Sequence, residues 1–179
     1  MKYLKYFFNI TFTLFNKLVY RSSFSGFSNE LKITTRLYDC EVGNHNYFGP
    51  GVVINRTKIK NFCSIAPNVV VGGMEHDYTK FSTSTKLYPH DKFKTTTIQD
   101  DVWIGANAVI RTGLTIGKGS IIGANTVVLK DVPPMSIVVG NPGKILKNRF
   151  DDISKEKKFM STDFSESPIN VRRSFNNQQ

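Results

Sequence analysis

The sequence holds two cysteines, Cys40 and Cys63, in 179 residues. That is too few for a disulfide framework, and neither a C-x-x-C pair nor a Cys/His spacing suggests zinc. We therefore expect no metal and a reduced, cytoplasmic setting. A membrane-spanning run is also missing. The opening stretch MKYLKYFFNITFTLFNKLVY is broken by Lys5, Asn9, Asn16 and Lys17, well short of the ~20 apolar residues a span needs, and no small-residue cleavage site follows it. Acidic residues are scarce, 14 against 24 Lys and Arg. Residues 1–36 carry Lys2, Lys5, Lys17, Arg21, Lys32 and Arg36 against Glu30 alone, residues 143–179 are again basic, and residues 37–142 are nearly balanced. A nucleic-acid binder would show one dense basic face and a recognisable motif, and this chain shows neither, so we expect no nucleic-acid partner. Small anions or a membrane surface fit the charge better.

What is present begins with length enough for one domain plus appendages. At helical spacing Lys2, Lys5, Asn9, Thr13 and Asn16 share one face of residues 1–20, while Phe7, Phe8, Leu14, Phe15 and Leu18 crowd the other. Such a helix packs on its own domain or a neighbouring subunit, or lies as a basic amphipathic helix on the inner membrane surface, giving peripheral membrane contact through residues 1–20. The final stretch STDFSESPINVRRSFNNQQ is polar and aperiodic and reads as a mobile tail.

Between these ends the aliphatic residues keep step. Ile98, Ile104, Ile110, Ile116, Ile122 and Val128 recur every six residues, which is neither the 3.6 of a helix nor the length of an ordinary strand. Gly105, Gly117 and Gly123 follow the aliphatic residue, and Ala108, Ser120 and Thr126 are small at the position four residues after it. An earlier run reads Val42, Phe48, Ile54, then Ile59, Ile65 and Val71, with one step of five that marks a shortened or bulged corner. Three hexapeptides close one triangular coil, so the two runs supply about two turns each of a parallel β-helix. The chain then divides into a lead-in with the amphipathic helix (1–36), the β-helix (37–142) interrupted by an extruded loop (73–97), and a capping helix beginning near Gly143 followed by the tail (143–179).

The segments TKIKNFCSIAPNVVVGG and DVWIGANAVIRTGLTIGKGSIIGANTVVLKDVPPMSIVVGNPGKILKNRF resemble the left-handed β-helix acyltransferases. The F-C-S-I, D-V-W-I-G and G-N-P motifs, in order and over roughly residues 37–150, are most similar to the xenobiotic acetyltransferase subgroup. That subgroup includes many polysaccharide O-acetyltransferases. The resemblance implies left-handed winding, a homotrimer with sites between subunits, and acetyl-CoA as donor. It also implies that His76, the first histidine after the F-C-S-I rung, is the catalytic base, a task suited to a neutral imidazole near pH 7. Tyr47 and Trp103 would meet the acceptor. Trp103, Ala106, Ala124, Lys130, Lys144 and Lys147 would line the path of CoA, the lysines meeting its phosphates. Glu75 and Asp77 flank His76 and could orient it. His45 either lines the acceptor pocket or lies on the surface, His90 is a loop residue, and Cys63 belongs to the core. Three departures from the pattern stand out: Leu129 where a hydroxyl residue is common, and Lys60 and Gln99 at corners that usually hold glycine.

The expected function is acetyl transfer to a hydroxyl of a carbohydrate, a surface polysaccharide or its precursor. Alternatives of the same fold are a chloramphenicol or streptogramin O-acetyltransferase and a sugar-amine N-acetyltransferase. A non-catalytic β-helix module is the alternative of a different class.

Overall fold

The computed structural model describes the chain except residues 1, 26–27, 74, 90–93 and 177–179, and the side chains of residues 2–6. His90 lies outside the described residues. Every aliphatic position picked out by the period of six turns inward: Ile54, Ile65, Val71, Ile98, Ile104, Ile110, Ile116 and Ile122 are 0% exposed, and Val42, Phe48, Ile59 and Val128 are buried with them.

These residues sit on very short strands. The first coil is β1 (Ser23–Phe24), β2 (Glu30–Leu31) and β3 (Arg36–Tyr38). The second is β4 (Glu41–Val42), β5 (Tyr47–Phe48) and β6 (Val53–Asn55), and the third is β7 (Thr57–Ile59), β8 (Ser64–Ile65) and β9 (Val70–Val71). The fourth is β10 (Thr96–Ile98), β11 (Trp103–Ile104) and β12 (Val109–Ile110), and the fifth is β13 (Thr115–Ile116), β14 (Ile121–Ile122) and β15 (Val127–Val128). Equivalent strands pair in parallel and form three sheets. The second sheet continues through β16 (Ser136–Val139), part of a sixth coil, to the antiparallel β17 (Lys144–Asn148). Each coil turns its corners with residues of positive φ, among them Asn68, Asn107 and Asn125 in one column. Asparagine tolerates this region better than most residues. Even at roughly 1–2 kcal/mol per left-handed residue, the corners are outweighed by three inward aliphatic side chains per coil at about 1.5–3 kcal/mol each.

The five-residue step falls where Arg56 takes φ 43°, at the corner between the third and first sheets. Coils before the long loop are one residue shorter there: Glu41 pairs with Lys58, whereas Thr97 pairs with Thr115. The loop leaves from the same corner, and Val70 pairs with Val109 as though the loop were absent.

Three expectations need correction. The β-helix starts at Ser23 and not at residue 37, so five full coils are present. Phe24, Leu31, Leu37 and Val42 fall at uneven intervals, which hid the first coil from a search for period six. No helix begins near Gly143: Lys144–Asn148 is β17, because the exposed edge of β16 takes a partner and the chain has just reversed. The helices follow later, α2 (Ile153–Ser161) with Asp152 as N-cap and α3 (Pro168–Asn176). The last segment, finally, is not a free tail. Phe164 and Val171 are buried with Met135 and Phe159 in a second small core. Lys118 Nζ donates to the Met160 and Thr162 carbonyls, and Arg149 Nη1 lies 2.7 Å from Asp101 Oδ2.

At the opposite end α1 (Lys2–Val19) covers the first coil with Thr13 and Asn16 and with Phe12, which packs against the core. Thr13 and Asn16 are buried, whereas Phe7, Phe8, Leu14, Phe15, Leu18 and Val19 are exposed. The cause is the sheet edge beneath, whose backbone groups have no preceding coil. Asn16 Oδ1 accepts from the Leu37 N–H at 2.9 Å, and Asn16 Nδ2 donates to the Thr35 carbonyl at 3.5 Å. Asn16→Ala leaves these groups buried and unmatched. We expect it to lower stability by about 1–3 kcal/mol, read as a lower urea midpoint by circular dichroism. An unchanged midpoint would show that the edge needs no such cover.

Candidate active site

His76 stands on the extruded loop, exposed, a few residues beyond the end of β9. Its Nδ1 lies 2.5 Å from the Thr83 carbonyl oxygen. A carbonyl only accepts, so Nδ1 carries a proton, and in the neutral ring the lone pair then falls on Nε2. This is the tautomer a general base requires. The flanking carboxylates do not supply the orientation. Glu75 pairs with Arg111 at 3.5 Å, and Asp77 Oδ1 accepts from the Thr79 N–H and hydroxyl, bonds that hold its carboxyl below the usual range. Thr83 escaped the sequence reading because a backbone oxygen has no residue signature.

The loop is tied at both feet. Gly72 N–H donates to the Ile110 carbonyl, and Thr96 N–H to that of Arg56. Beside the stem is a cavity of about 270 Å³ lined by Val19, Tyr20, Arg21, Tyr38, Asp39, Asn55 and Arg56 together with Gly73 and Thr112. The Tyr20 and Tyr38 rings are 4.5 Å apart, and Arg56 Nε is 3.5 Å from Asp39 Oδ2. The sequence reading missed this lining as well. Its residues come from the end of α1, from several coils and from the loop stem, and only stacking unites them.

Tyr47 and Trp103 lie on the outer face of the second sheet, in one ladder in which Ser64 pairs with both. Trp103 is 53% exposed, and Lys32 Nζ sits 5.8 Å from the centre of the Tyr47 ring. That sheet lies across the prism from the corner where the loop departs. Within one chain, therefore, the structure brings Tyr47 and Trp103 onto one face but does not bring His76 to them.

Ala106 and Ala124 stack on successive coils at the corner between the second and third sheets, where Asn125 N–H donates to the Ala106 carbonyl. A Cβ at Gly105 would lie 2.5 Å from Ala124 N, so the coils abut there without side chains between them. Lys144 belongs to this corner, because Gly143 N–H donates to the Val127 carbonyl. Lys147 is two residues further along the exposed β17. Lys130 is exposed at the next corner, after β15, apart from the other two lysines. None of the three forms an ion pair with a described residue. Small, backbone-lined corners followed by uncommitted cations fit a pantetheine arm and its phosphates. His45 instead packs on Phe62, ring centres 4.7 Å apart, at a third corner. Among the described residues no group of His, Cys, Asp and Glu could hold a metal ion.

An inward hexapeptide ladder with an extruded histidine loop defines a class of transferase, and the comparisons agree. Residues 95–130 match the bacterial transferase hexapeptide (six repeats) family model. A probable macrolide acetyltransferase of Lysinibacillus sphaericus is 34% identical over 136 residues, covering 65% of this chain and 71% of the relative. The chain belongs to the hexapeptide-repeat transferase family. A chloramphenicol acetyltransferase of Agrobacterium fabrum is 37% identical over 123 residues, 60% of this chain and 59% of the relative, so the chain spans little more than half of such relatives. A hexapeptide-repeat-containing acetyltransferase of Vibrio cholerae, solved with acetyl coenzyme A, superposes with a TM-score of 0.65 at 26% identity over 78% of this chain and 76% of that one.

Both cysteines lie inside the coils, where burial pushes each thiol up to about 12. The thiolate is the reactive form. Native protein at pH 8 should therefore leave both unmodified by a thiol-disulfide reagent, and two thiols should appear in denaturant. A thiol that reacts in the native state would contradict the placement of Cys40 and Cys63.

Proposed function

We propose that this protein transfers the acetyl group of acetyl-CoA to a hydroxyl of a carbohydrate, a surface polysaccharide or its precursor. The observation that carries the reading is the His76–Thr83 bond, which holds the imidazole in the base tautomer. His76 Nε2 takes the acceptor hydroxyl proton as its oxygen attacks the thioester carbonyl. The resulting imidazolium returns that proton to the departing CoA sulfur. Ala106, Ala124, Lys144 and Lys147 hold the donor, with Lys130 at a neighbouring corner. Backbone N–H groups at the coil corners are suited to the oxyanion.

A second reading, chloramphenicol or macrolide as acceptor, is supported by the names of the similar proteins. Thiol release from acetyl-CoA, measured against polysaccharides, nucleotide sugars, chloramphenicol and a macrolide, separates the two. We expect turnover on a carbohydrate and a loss of roughly 10²–10⁴-fold in His76→Ala, with CoA binding retained. Turnover confined to a drug would move the assignment to the second reading, and full activity in the variant would remove His76 as base.

We further propose a homotrimer, because a loop from another copy is what could meet Tyr47 and Trp103. The outer faces differ in a way that supports such packing. The third sheet turns out Val53, Val70, Val109 and Val127, while the first turns out Ser23, Glu41, Lys58, Thr97 and Thr115. Val109→Lys should yield a folded monomer by sedimentation velocity that has lost transfer. An intact oligomer would show that this face is not the interface.

A further inference from the structure

The amphipathic helix α1 is docked the wrong way round for a soluble protein. Thr13 and Asn16, with Phe12 packed on the core beside them, commit one side to the first coil, and most of its large apolar residues face outward. Phe7 is 64% exposed and Leu18 78%, and Phe8, Leu14, Phe15 and Val19 complete a contiguous apolar face. Isolated exposed hydrophobic residues need no explanation, but a continuous face of this kind marks a contact surface.

We propose that α1 binds the surface of an anionic lipid bilayer, lying in the interface with its apolar face among the acyl chains. Charge selects this occupant. The chain has no acidic residue before Glu30, while Lys2, Lys5, Lys17 and Arg21 fall within or just after the helix. An amphipathic helix with basic residues beside an apolar face gains from both hydrocarbon burial and anionic headgroups. A second copy is the poorer occupant. Helix against helix, parallel or antiparallel, sets Lys17 and the other helix cations against their own copies, because α1 itself has no carboxylate and Asp39, near its end, already faces Arg21 and Arg56. Spanning is excluded too, since no helix among the described residues is long and apolar enough to cross a membrane. The helix covers the beginning of the solenoid, whereas the His76 loop leaves between the third and fourth coils. The end of α1 nevertheless lies near the stem of that loop, where Val19 and Gly73 line one cavity.

The test is co-sedimentation of the full chain with vesicles of phosphatidylglycerol and phosphatidylcholine, beside vesicles of phosphatidylcholine alone. Phe8→Ser, Phe15→Ser and Leu18→Ser are combined in one variant, all at exposed positions, with circular dichroism and sedimentation velocity as checks on fold and assembly. Wild type should pellet with the anionic vesicles, weakly with the neutral ones, and less as salt rises. The triple variant should partition roughly tenfold less or weaker still, with the fold and assembly unchanged, and Lys17→Glu should lie between. Wild type left in the supernatant, or a triple variant that pellets equally, would overturn the proposal. So would a change of assembly state in the lipid-free variant, which would assign the face to contact between copies.

Discussion

Between each coil and the next, the backbone pairs strand on strand: Gly43 N–H to the Ile59 carbonyl at 2.8 Å, Tyr47 to Cys63 at 2.9 Å, Gly105 to Ile122 at 2.7 Å. These parallel ladders place every interior side chain directly over its counterpart. A residue that fits in one coil is therefore dictated by those above and below it. Aliphatic residues recur for that reason, and Ala108, Ser120 and Thr126 must stay small at the intervening inward position. Ser120 is tolerated inside because its hydroxyl donates to the Pro133 carbonyl.

The same constraint decides where chemistry can occur. Inward positions are consumed by packing and the strands are two or three residues long, so functional groups fall at corners, on outer faces and in insertions. The long insertion costs the ladder nothing, because its feet remain bonded to Ile110 and Arg56. It carries His76 away from the prism and folds back to hold the ring by a carbonyl. Tyr47 and Trp103 occupy a different face, and the donor corner adjoins the exposed valines of the third sheet. The proposed catalytic unit combines these parts from more than one chain, with the apolar valine row as the proposed contact between copies.

Any solenoid has two raw ends, and this one closes them by different physics. The first coil exposes hydrogen-bonding groups, and Asn16 answers them with its amide. At the last end a strand closes the edge, β17 pairing antiparallel with β16, while Phe159, Phe164 and Val171 pack with Met135 along a column of corners that reaches back to Phe62 on the third coil, held by Lys118 and Arg149. Closing the first end with polar side chains turns the apolar side of α1 outward, and that orientation distinguishes this chain's surface more than anything in the coils.

Read alone, the sequence determined the coil architecture, the shortened corner near Arg56, the position of the extruded loop and His76 as its chemically distinctive residue. Period six survives in the sequence because stacking punishes each deviation locally. It did not determine the first coil, whose irregular spacing of Phe24, Leu31 and Leu37 carries no period, nor β17 and the packed C-terminal helices, which depend on an edge and a surface made by distant residues. The Thr83 carbonyl, the Arg111–Glu75 pair, the lining of the cavity and the outward face of α1 were decided by tertiary structure alone. Each is a relation that only folding creates, within one loop for His76 and Thr83 and between distant segments for the rest, and a side chain's neighbours across a fold are not written in its neighbours along the sequence.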